Sequence, residues 1–218
     1  MTAADIVGWM AALVAISISI PQIILLVRTR STAGLSLLAW QAILAITLAW
    51  TVHGFLLDAL NMIVPNAISV VLAAVVLVLT LRERGLRPVR VFLPGVVTAA
   101  VMVGVDLLFG TTGYGLVAMV VAVVANAGQG VDLVRSRSIA GVAPGFLFAQ
   151  LTNQILWLAW GVLVQDQGTV MASVATGLIA LFNAVWWLLR SFGLRPLFVR
   201  PEPAGLPGSG TAQVSCEA

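Results

Sequence analysis

The sequence predicts an all-α integral membrane protein of seven transmembrane helices, arranged as two parallel three-helix bundles joined by a linker helix. Three observations predict this fold class: long apolar runs, the positions of the basic residues, and an internal repeat. The chain has 218 residues, of which 61% are apolar and only 9% are charged. A soluble domain carries roughly a quarter charged residues, so this composition argues strongly against a water-soluble fold.

Uncharged runs of membrane-spanning length predict five of the seven helices, because about 20 apolar residues cross the hydrocarbon core. They are Ile6–Val27, Leu35–Leu57, Met62–Leu81, Val142–Val164 and Val170–Leu189. Two further spans carry polar residues: Val91–Phe109 contains Asp106, and Leu116–Val134 contains Gln129 and Asp132. The first span is too long for the apolar stretch of a signal peptide, so we expect it to be retained.

The basic residues predict the orientation. All 11 are arginines, and with seven spans and an outside N-terminus every one falls on the cytoplasmic side, as the positive-inside rule requires. The other side keeps Asp5, Asp58 and Asp166, with Asp106 near the same interface. Membrane topology therefore explains the net charge of +3 without nucleic acid, and we expect a plasma-membrane protein with a cytoplasmic C-terminus.

An internal repeat relates the two halves of the chain. The segment VRTRSTAG from Val27 matches VRSRSIAG from Val134, an offset of 107 residues. At this offset Pro21-Gln22 falls on Gly128-Gln129, Trp50 on Trp157 and Gly54 on Gly161. A repeat of this size defines an architecture.

The repeat predicts four parts of the chain: a first three-helix unit (1–81), a cytoplasmic loop with the linker helix (82–111), a second unit (112–190) and a disordered cytoplasmic tail (191–218). A unit of three helices begins and ends on opposite sides, so one linker helix must return the chain and the units are parallel. Such a pair encloses a site near the midplane and can rock between inward-open and outward-open states.

The segment PQIILLVRTRSTAGLS resembles the loop of PQ-loop proteins, and the three-one-three layout resembles the SWEET sugar transporters, whose half-size SemiSWEET relatives dimerise one unit. In that family a WxxYG motif supplies a pocket tryptophan and an asparagine after proline supplies its polar partner. The resemblance implies that Trp50, Asn66, Trp157 and Ser173 face one another across a central cavity. The tyrosine position holds His53 in one unit and Trp160 in the other.

Other polar residues could line the same cavity. Asn153 lies one turn before Trp157, and Asn126 and its repeat counterpart Ser19 add an amide and a hydroxyl. Uncharged hydrogen-bonding groups beside aromatic rings suit a neutral polyol. The alternatives are packing or interface anchoring for the tryptophans and structural pairing between helices for Asn66.

Helix-weakening residues occupy matching places in the two units. Pro21, beside Gln22, removes a backbone hydrogen bond, and Gly128, beside Gln129, lowers helix stability by about 1 kcal/mol relative to Ala. We interpret both places as hinges, the alternative being a static bend.

The titratable residues allow two further predictions. His53, the only histidine, could form an outer gate with Asp58 or Asp166, with Trp160 in the matching position, unless it is a solvated interfacial histidine. Asp132 is either an intrahelical partner of Arg135 or, as in PQ-loop amino acid exporters, a residue for proton coupling.

The function predicted from these features is passive transport of a small neutral solute, a mono- or disaccharide, by alternating access. The alternatives are proton-coupled transport of an amino acid through Asp132, Asp106 or His53, and a receptor resembling the KDEL receptor. No HExxH, Walker-type or cysteine-cluster motif is present, so we expect neither catalysis nor a cofactor or metal. The expected partners are the solute and the lipid bilayer, and small residues at Ala99, Ala100 and Gly104 would permit a homo-oligomer.

Overall fold

The computed structural model describes residues 2–29, 36–135, 139 and 142–197, without the side chains at 19, 21–23, 25–29, 125, 127, 128 and 132. Its described residues form six α-helices and no strand. The helices are α1 (Ala3–Thr29), α2 (Leu37–Leu56), α3 (Leu60–Arg84), α4 (Pro88–Arg135), α5 (Pro144–Leu163) and α6 (Gln167–Ser191). Helices α2 to α6 are long and apolar enough to cross a membrane, and α1 contains a shorter apolar stretch, Ala3–Ile18. The protein is therefore an all-α, multi-pass membrane protein.

Helix α4 differs from the sequence prediction, which separated Val91–Phe109 from Leu116–Val134 by a short connection. The helix runs through the positions between them, and its backbone is non-helical only at Gly110, with φ 68° and ψ −170°. This backbone region is open essentially to glycine alone, since any β-carbon would clash there. Two helices thus meet at a bend of one residue.

The turns that precede α3 and α6 have the same backbone structure. Asp58 and Gln165, 107 residues apart, both adopt a left-handed conformation, with φ of 51° and 58°. The next amide in each turn donates to the glycine carbonyl five residues earlier, Ala59 to Gly54 and Asp166 to Gly161, both at 2.9 Å. The offset found in the sequence therefore relates equal structures.

The two glycines of these turns let consecutive helices approach closely. A β-carbon at Gly54 would lie 3.2 Å from the backbone nitrogen of Ile63, and one at Gly161 would lie 3.1 Å from that of Val170. Both distances are tighter than ordinary contact, so the matching glycines have a packing role in each half.

The helices pack in two groups, α1 to α3 and α4 to α6, and the last helix of each group packs against the other two. Helix α3 packs against α1 and α2, and α6 packs against α4 and α5. Across the groups, α1 contacts α5 and α2 contacts α4. Large apolar side chains such as Leu38, Leu108 and Phe109 are more than 70% exposed, as suits surfaces that face lipid.

Charge divides the bundle into two ends. The described arginines lie in the last turns of α1, α3, α4 and α6, around the start of α4 and just beyond α6. We call this the arginine-rich end. The opposite end, formed by the α2–α3 turn, the bend at Gly110 and the α5–α6 turn, has no arginine among the described residues, and we call it the arginine-free end.

Candidate functional site

A cavity of about 250 Å³ lies between the two groups of helices, and all six helices contribute to its wall. Among the described residues that line it, the polar ones are uncharged: Asn66, Asn126, Asn153, Gln154, Thr169, Ser173 and Thr176. Its aromatic residues are Trp50 and Trp157, and the rest are Ala15, Ile46, Met62, Pro65, Met102, Ala118, Ala122 and Ala172. The cavity thus offers amides and hydroxyls beside two indole rings.

Repeat-related residues line the cavity in pairs. Six pairs separated by 107 residues contribute: Ala15 and Ala122, Ile46 and Asn153, Trp50 and Trp157, Met62 and Thr169, Pro65 and Ala172, and Asn66 and Ser173. The two halves of the chain therefore present equivalent positions to one central space.

Six of the seven residues predicted to bind substrate line this cavity: Trp50, Asn66, Asn126, Asn153, Trp157 and Ser173. The side chain of the seventh, Ser19, lies outside the described residues. Sequence reasoning missed Gln154 and Thr176. Gln154 adjoins Asn153, and Thr176 lies three residues after Ser173 and hence on the same helix face, so the helical spacing could have identified Thr176.

The two cavity tryptophans have matching aromatic neighbours. Trp50 meets His53 edge to face, with ring centroids 5.4 Å apart and planes at 81°, and Trp157 meets Trp160 in the same way at 5.6 Å and 85°. The single tyrosine, Tyr114, adds a second edge contact to Trp50 at 4.9 Å. These contacts hold both indoles beside the cavity.

Several amides of the cavity keep hydrogen-bonding capacity. The Nδ2 of Asn66 donates to the Met62 carbonyl and that of Asn126 to the Ala122 carbonyl, each at 2.8 Å, which uses only part of the capacity of each side chain. Asn153 Oδ1 and Thr169 Oγ1 are buried without a hydrogen-bond partner in the described protein. A buried polar atom is costly unless it is paired, so the wall is suited to a polar solute or water.

A buried cluster lies between the cavity and the arginine-free end, and we call it the histidine cluster: His53, Asp106, Tyr114 and Asp166. His53 is 0% exposed. Its Nδ1 lies 2.6 Å from Asp106 Oδ2, and its Nε2 lies 3.2 Å from Asp166 Oδ2. The imidazole ring stacks on Tyr114 with centroids 4.3 Å apart.

Local structure positions the two carboxylates of the histidine cluster. Asp166 is the N-cap of α6 and accepts from the backbone amides of Gly168 and Thr169 at 3.3 and 2.8 Å. Asp106 belongs to α4 one turn before the bend at Gly110. The cluster therefore joins α2, both halves of α4 and the start of α6.

The residues predicted as an outer gate are only partly brought together. His53 contacts Asp166, but its second carboxylate partner is Asp106, and Asp58 is exposed in the neighbouring turn. Trp160 is 3% exposed and packs against Ala59 and Met62. The alternative of a solvated histidine is wrong, since His53 is fully buried.

Of the four residues predicted as hinges, only the Gln129 side chain is among those described. Gln129 Oε1 accepts from Asn183 Nδ2 at 3.5 Å, and both residues line a small cavity of about 10 Å³ with Gln150 and Gln154. The side chains of Pro21, Gln22 and Asp132 and the surroundings of Gly128 lie outside what the structure describes.

The PQ loop repeat family matches residues 3–52, which comprise α1 and most of α2. No curated protein matches the chain. Proteins with PQ-loop repeats are membrane transporters or receptors rather than typical enzymes. The family match thus supports the PQ-loop superfamily and points to a membrane transporter or receptor of this type.

Proposed function

We propose that the chain is a SWEET-like transporter that moves a small neutral solute, a mono- or disaccharide, by passive alternating access. One observation carries the proposal: a cavity lined by repeat-related positions of both halves, in which uncharged amides and hydroxyls lie beside two tryptophans. Amides and hydroxyls can both donate to and accept from sugar hydroxyls. The indole faces suit the apolar C–H side of a sugar ring.

The length of α4 supports the three-one-three layout. Its 48 residues extend for about 72 Å at 1.5 Å per residue, more than twice the hydrocarbon core of about 30 Å. We infer that α4 crosses the membrane twice and bends at Gly110, which gives seven spans. The half before Gly110 would be the linker, and the half after it would begin the second unit, near the predicted boundary between 82–111 and 112–190.

The cavity size favours a monosaccharide in this conformation. Its volume of about 250 Å³ is just below the roughly 300–1,000 Å³ of sites for drug-sized ligands. A disaccharide would require further opening of the cavity towards one end. Passage of sucrose would therefore be slower than that of glucose.

The charge of the cavity wall bears on the other functions. A zwitterionic amino acid or a peptide carboxylate loses hydration on entry and needs charged partners, and none of the described lining residues is charged. This argues against KDEL-like peptide capture. Proton-coupled amino acid transport remains the second candidate, and the buried histidine cluster is the observation that favours it.

Uptake of labelled glucose and sucrose into proteoliposomes without an ion gradient tests the proposal. We expect saturable flux for the intact protein and a loss of about fivefold or more for Asn66→Ala and Trp157→Ala, since one lost hydrogen bond or aromatic contact is worth about 1 kcal/mol or more. Trp9→Ala is the matched control, because Trp9 is 38% exposed and lies on α1 outside the cavity wall.

One outcome would contradict the sugar assignment, and another would contradict the proposed binding site. The first is the absence of sugar flux together with amino acid movement that requires an imposed pH gradient. The second is an equal loss of flux in Trp9→Ala and Trp157→Ala, which would mean that the tryptophan acts through general packing. Trp157→Phe, which keeps an aromatic ring, should retain more flux than Trp157→Ala.

A further inference from the structure

The histidine cluster places two carboxylates against one imidazole ring. His53, Asp106 and Asp166 are 0%, 6% and 2% exposed, and each ring nitrogen faces a different carboxylate oxygen. Isolated charges are costly in such a place, so buried ionisable groups are paired and often functional.

Counting protons shows what the arrangement requires. Each contact between a ring nitrogen and a carboxylate oxygen needs one proton between them, because two lone pairs at 2.6 or 3.2 Å repel. A doubly protonated imidazole between two carboxylates satisfies both contacts, as does a neutral imidazole with one protonated carboxyl. If the cluster holds one proton fewer, one of the two contacts has no proton between its nitrogen and its oxygen.

We propose that the histidine cluster is a proton-binding site that latches the arginine-free end of the cavity, so that release of its proton opens that end. The latch depends on the proposed alternating access for its role in transport, whereas proton binding does not. The contact between His53 and Asp166 joins α2 of the first helix group to the start of α6 in the second. Its loss would release the start of α6 from α2 at this end.

The hydrogen bonds indicate which contact opens. Asp166 keeps the amides of Gly168 and Thr169 as donors when His53 withdraws, whereas the Asp106 carboxylate has His53 as its one hydrogen-bond partner among the described residues. The remaining proton therefore stays on Nδ1, facing Asp106. The longer contact, from Nε2 to Asp166, is the one released.

The cavity is adjacent to this contact. Trp50 and Thr169 line the cavity; Trp50 touches the His53 ring, and the Thr169 amide donates to Asp166. The groups that face His53 are Asp106 from the first half of α4, Tyr114 from its second half and Asp166 from the start of α6. Protonation is thus connected to the cavity wall through direct contacts.

The single histidine allows a direct test of proton binding. Nitrogen NMR of protein labelled with ¹⁵N-histidine, in nanodiscs, resolves one imidazole and reports which ring nitrogen carries a proton. Between about pH 5 and about pH 8, the range in which histidine commonly changes charge, we expect Nε2 to lose its proton while Nδ1 keeps it. Asp58→Asn, which alters an exposed carboxylate outside the cluster, should leave this transition unchanged, and Asp106→Asn should shift it.

Thiol accessibility tests the latch without any substrate. In a Cys216→Ser background, Ser173→Cys places a thiol in the cavity. Leu60→Cys places one at an exposed site of the arginine-free end. An impermeant reagent is applied from the arginine-free side, and the Leu60→Cys rate corrects for ionisation of the thiol. We expect the corrected Ser173→Cys rate to rise with pH by up to about tenfold per unit, as a one-proton equilibrium allows, and His53→Gln to abolish this rise.

Each outcome decides a separate point. An imidazole whose protonation is constant over the range would overturn the proton site. A titrating imidazole with a constant corrected labelling rate would overturn the latch and leave a structural proton site. Both readouts succeed or fail independently of sugar flux, so failure of the proposed transport function would be recognised separately in the uptake experiment.

Discussion

Asp166 combines two contacts in one carboxylate: it caps α6 and meets His53. We expect Asp166→Ala to destabilise the protein by more than the roughly 1 kcal/mol of a typical N-cap, because the change also leaves the buried imidazole without that partner. Asp166→Asn should cost less, since its Oδ1 can still accept an amide. The measurement is the midpoint of thermal unfolding in detergent, which we expect to fall by roughly 2–4 °C for each kcal/mol of lost stability.

Ser36→Ala is the matched control for this prediction. Ser36 caps α2 by accepting from the Ala39 amide at 3.3 Å and is exposed, so its loss removes a cap and no buried contact. An Asp166→Ala midpoint no lower than that of Ser36→Ala would mean that the contact with His53 adds no stability.

The cavity residues could be predicted from the sequence, whereas the partners of His53 could be predicted only in part. A single offset of 107 residues relates the pairs in the wall, so one recognised residue locates its counterpart. Spacing along a helix, in contrast, reveals neighbours only on that helix. Asp106 and Asp166 are 53 and 113 residues from His53, and helix packing brings them together, whereas Asp58, only five residues away, faces elsewhere.

At the scale of the element, the bend in α4 depends on one glycine. Gly110 has φ 68° and ψ −170°, a backbone region that is strained for any residue with a β-carbon. We expect Gly110→Ala to lower the free energy of unfolding by about 1–3 kcal/mol and to reduce the amount of folded protein in the membrane. Thermal unfolding in detergent and the membrane yield measure the two effects.

Gly104 provides the comparison within the same helix. Beyond the adjoining backbone, a β-carbon at either glycine would meet no described heavy atom within 4 Å, so the two sites differ in backbone conformation rather than in the space left by other side chains. Gly104→Ala should be neutral or stabilising by up to about 1 kcal/mol, because Ala favours helix. Equal effects of the two substitutions would contradict the strain argument.

Helix positions were predictable because hydropathy records how much apolar chain must be buried in lipid. Five predicted spans each overlap one helix, with ends that differ by a few residues, and the other two both lie within α4. Hydropathy does not record whether the backbone stays helical between two spans. The residues after Gly110 continue the helix, and the predicted connection is therefore a bend of one residue.

At the scale of the whole molecule, the α2–α3 and α5–α6 turns share a backbone structure and differ in chemistry at the arginine-free end. His53 corresponds to Trp160, and Asp166 corresponds to Ala59, at the offset of 107. One half therefore supplies the imidazole and the other supplies the carboxylate, while the corresponding positions hold an indole and a methyl group. The polar contact joins His53 and Asp166, whereas the corresponding residues, Trp160 and Ala59, pack as apolar neighbours.

The topology of the whole chain can be tested with its single cysteine. Cys216 follows the last arginine, and the positive-inside rule places the arginine-rich end in the cytoplasm. We expect an impermeant thiol reagent to leave Cys216 unlabelled in intact cells and to label it after permeabilisation.

In a Cys216→Ser background, Leu60→Cys and Gln167→Cys, both exposed at the arginine-free end, should be labelled in intact cells. These two sites begin α3 and α6, so they lie on one side only if α4 crosses the membrane twice. Labelling of Leu60→Cys in intact cells, with Gln167→Cys reached only after permeabilisation, would contradict the seven-span arrangement and the parallel orientation of the two units.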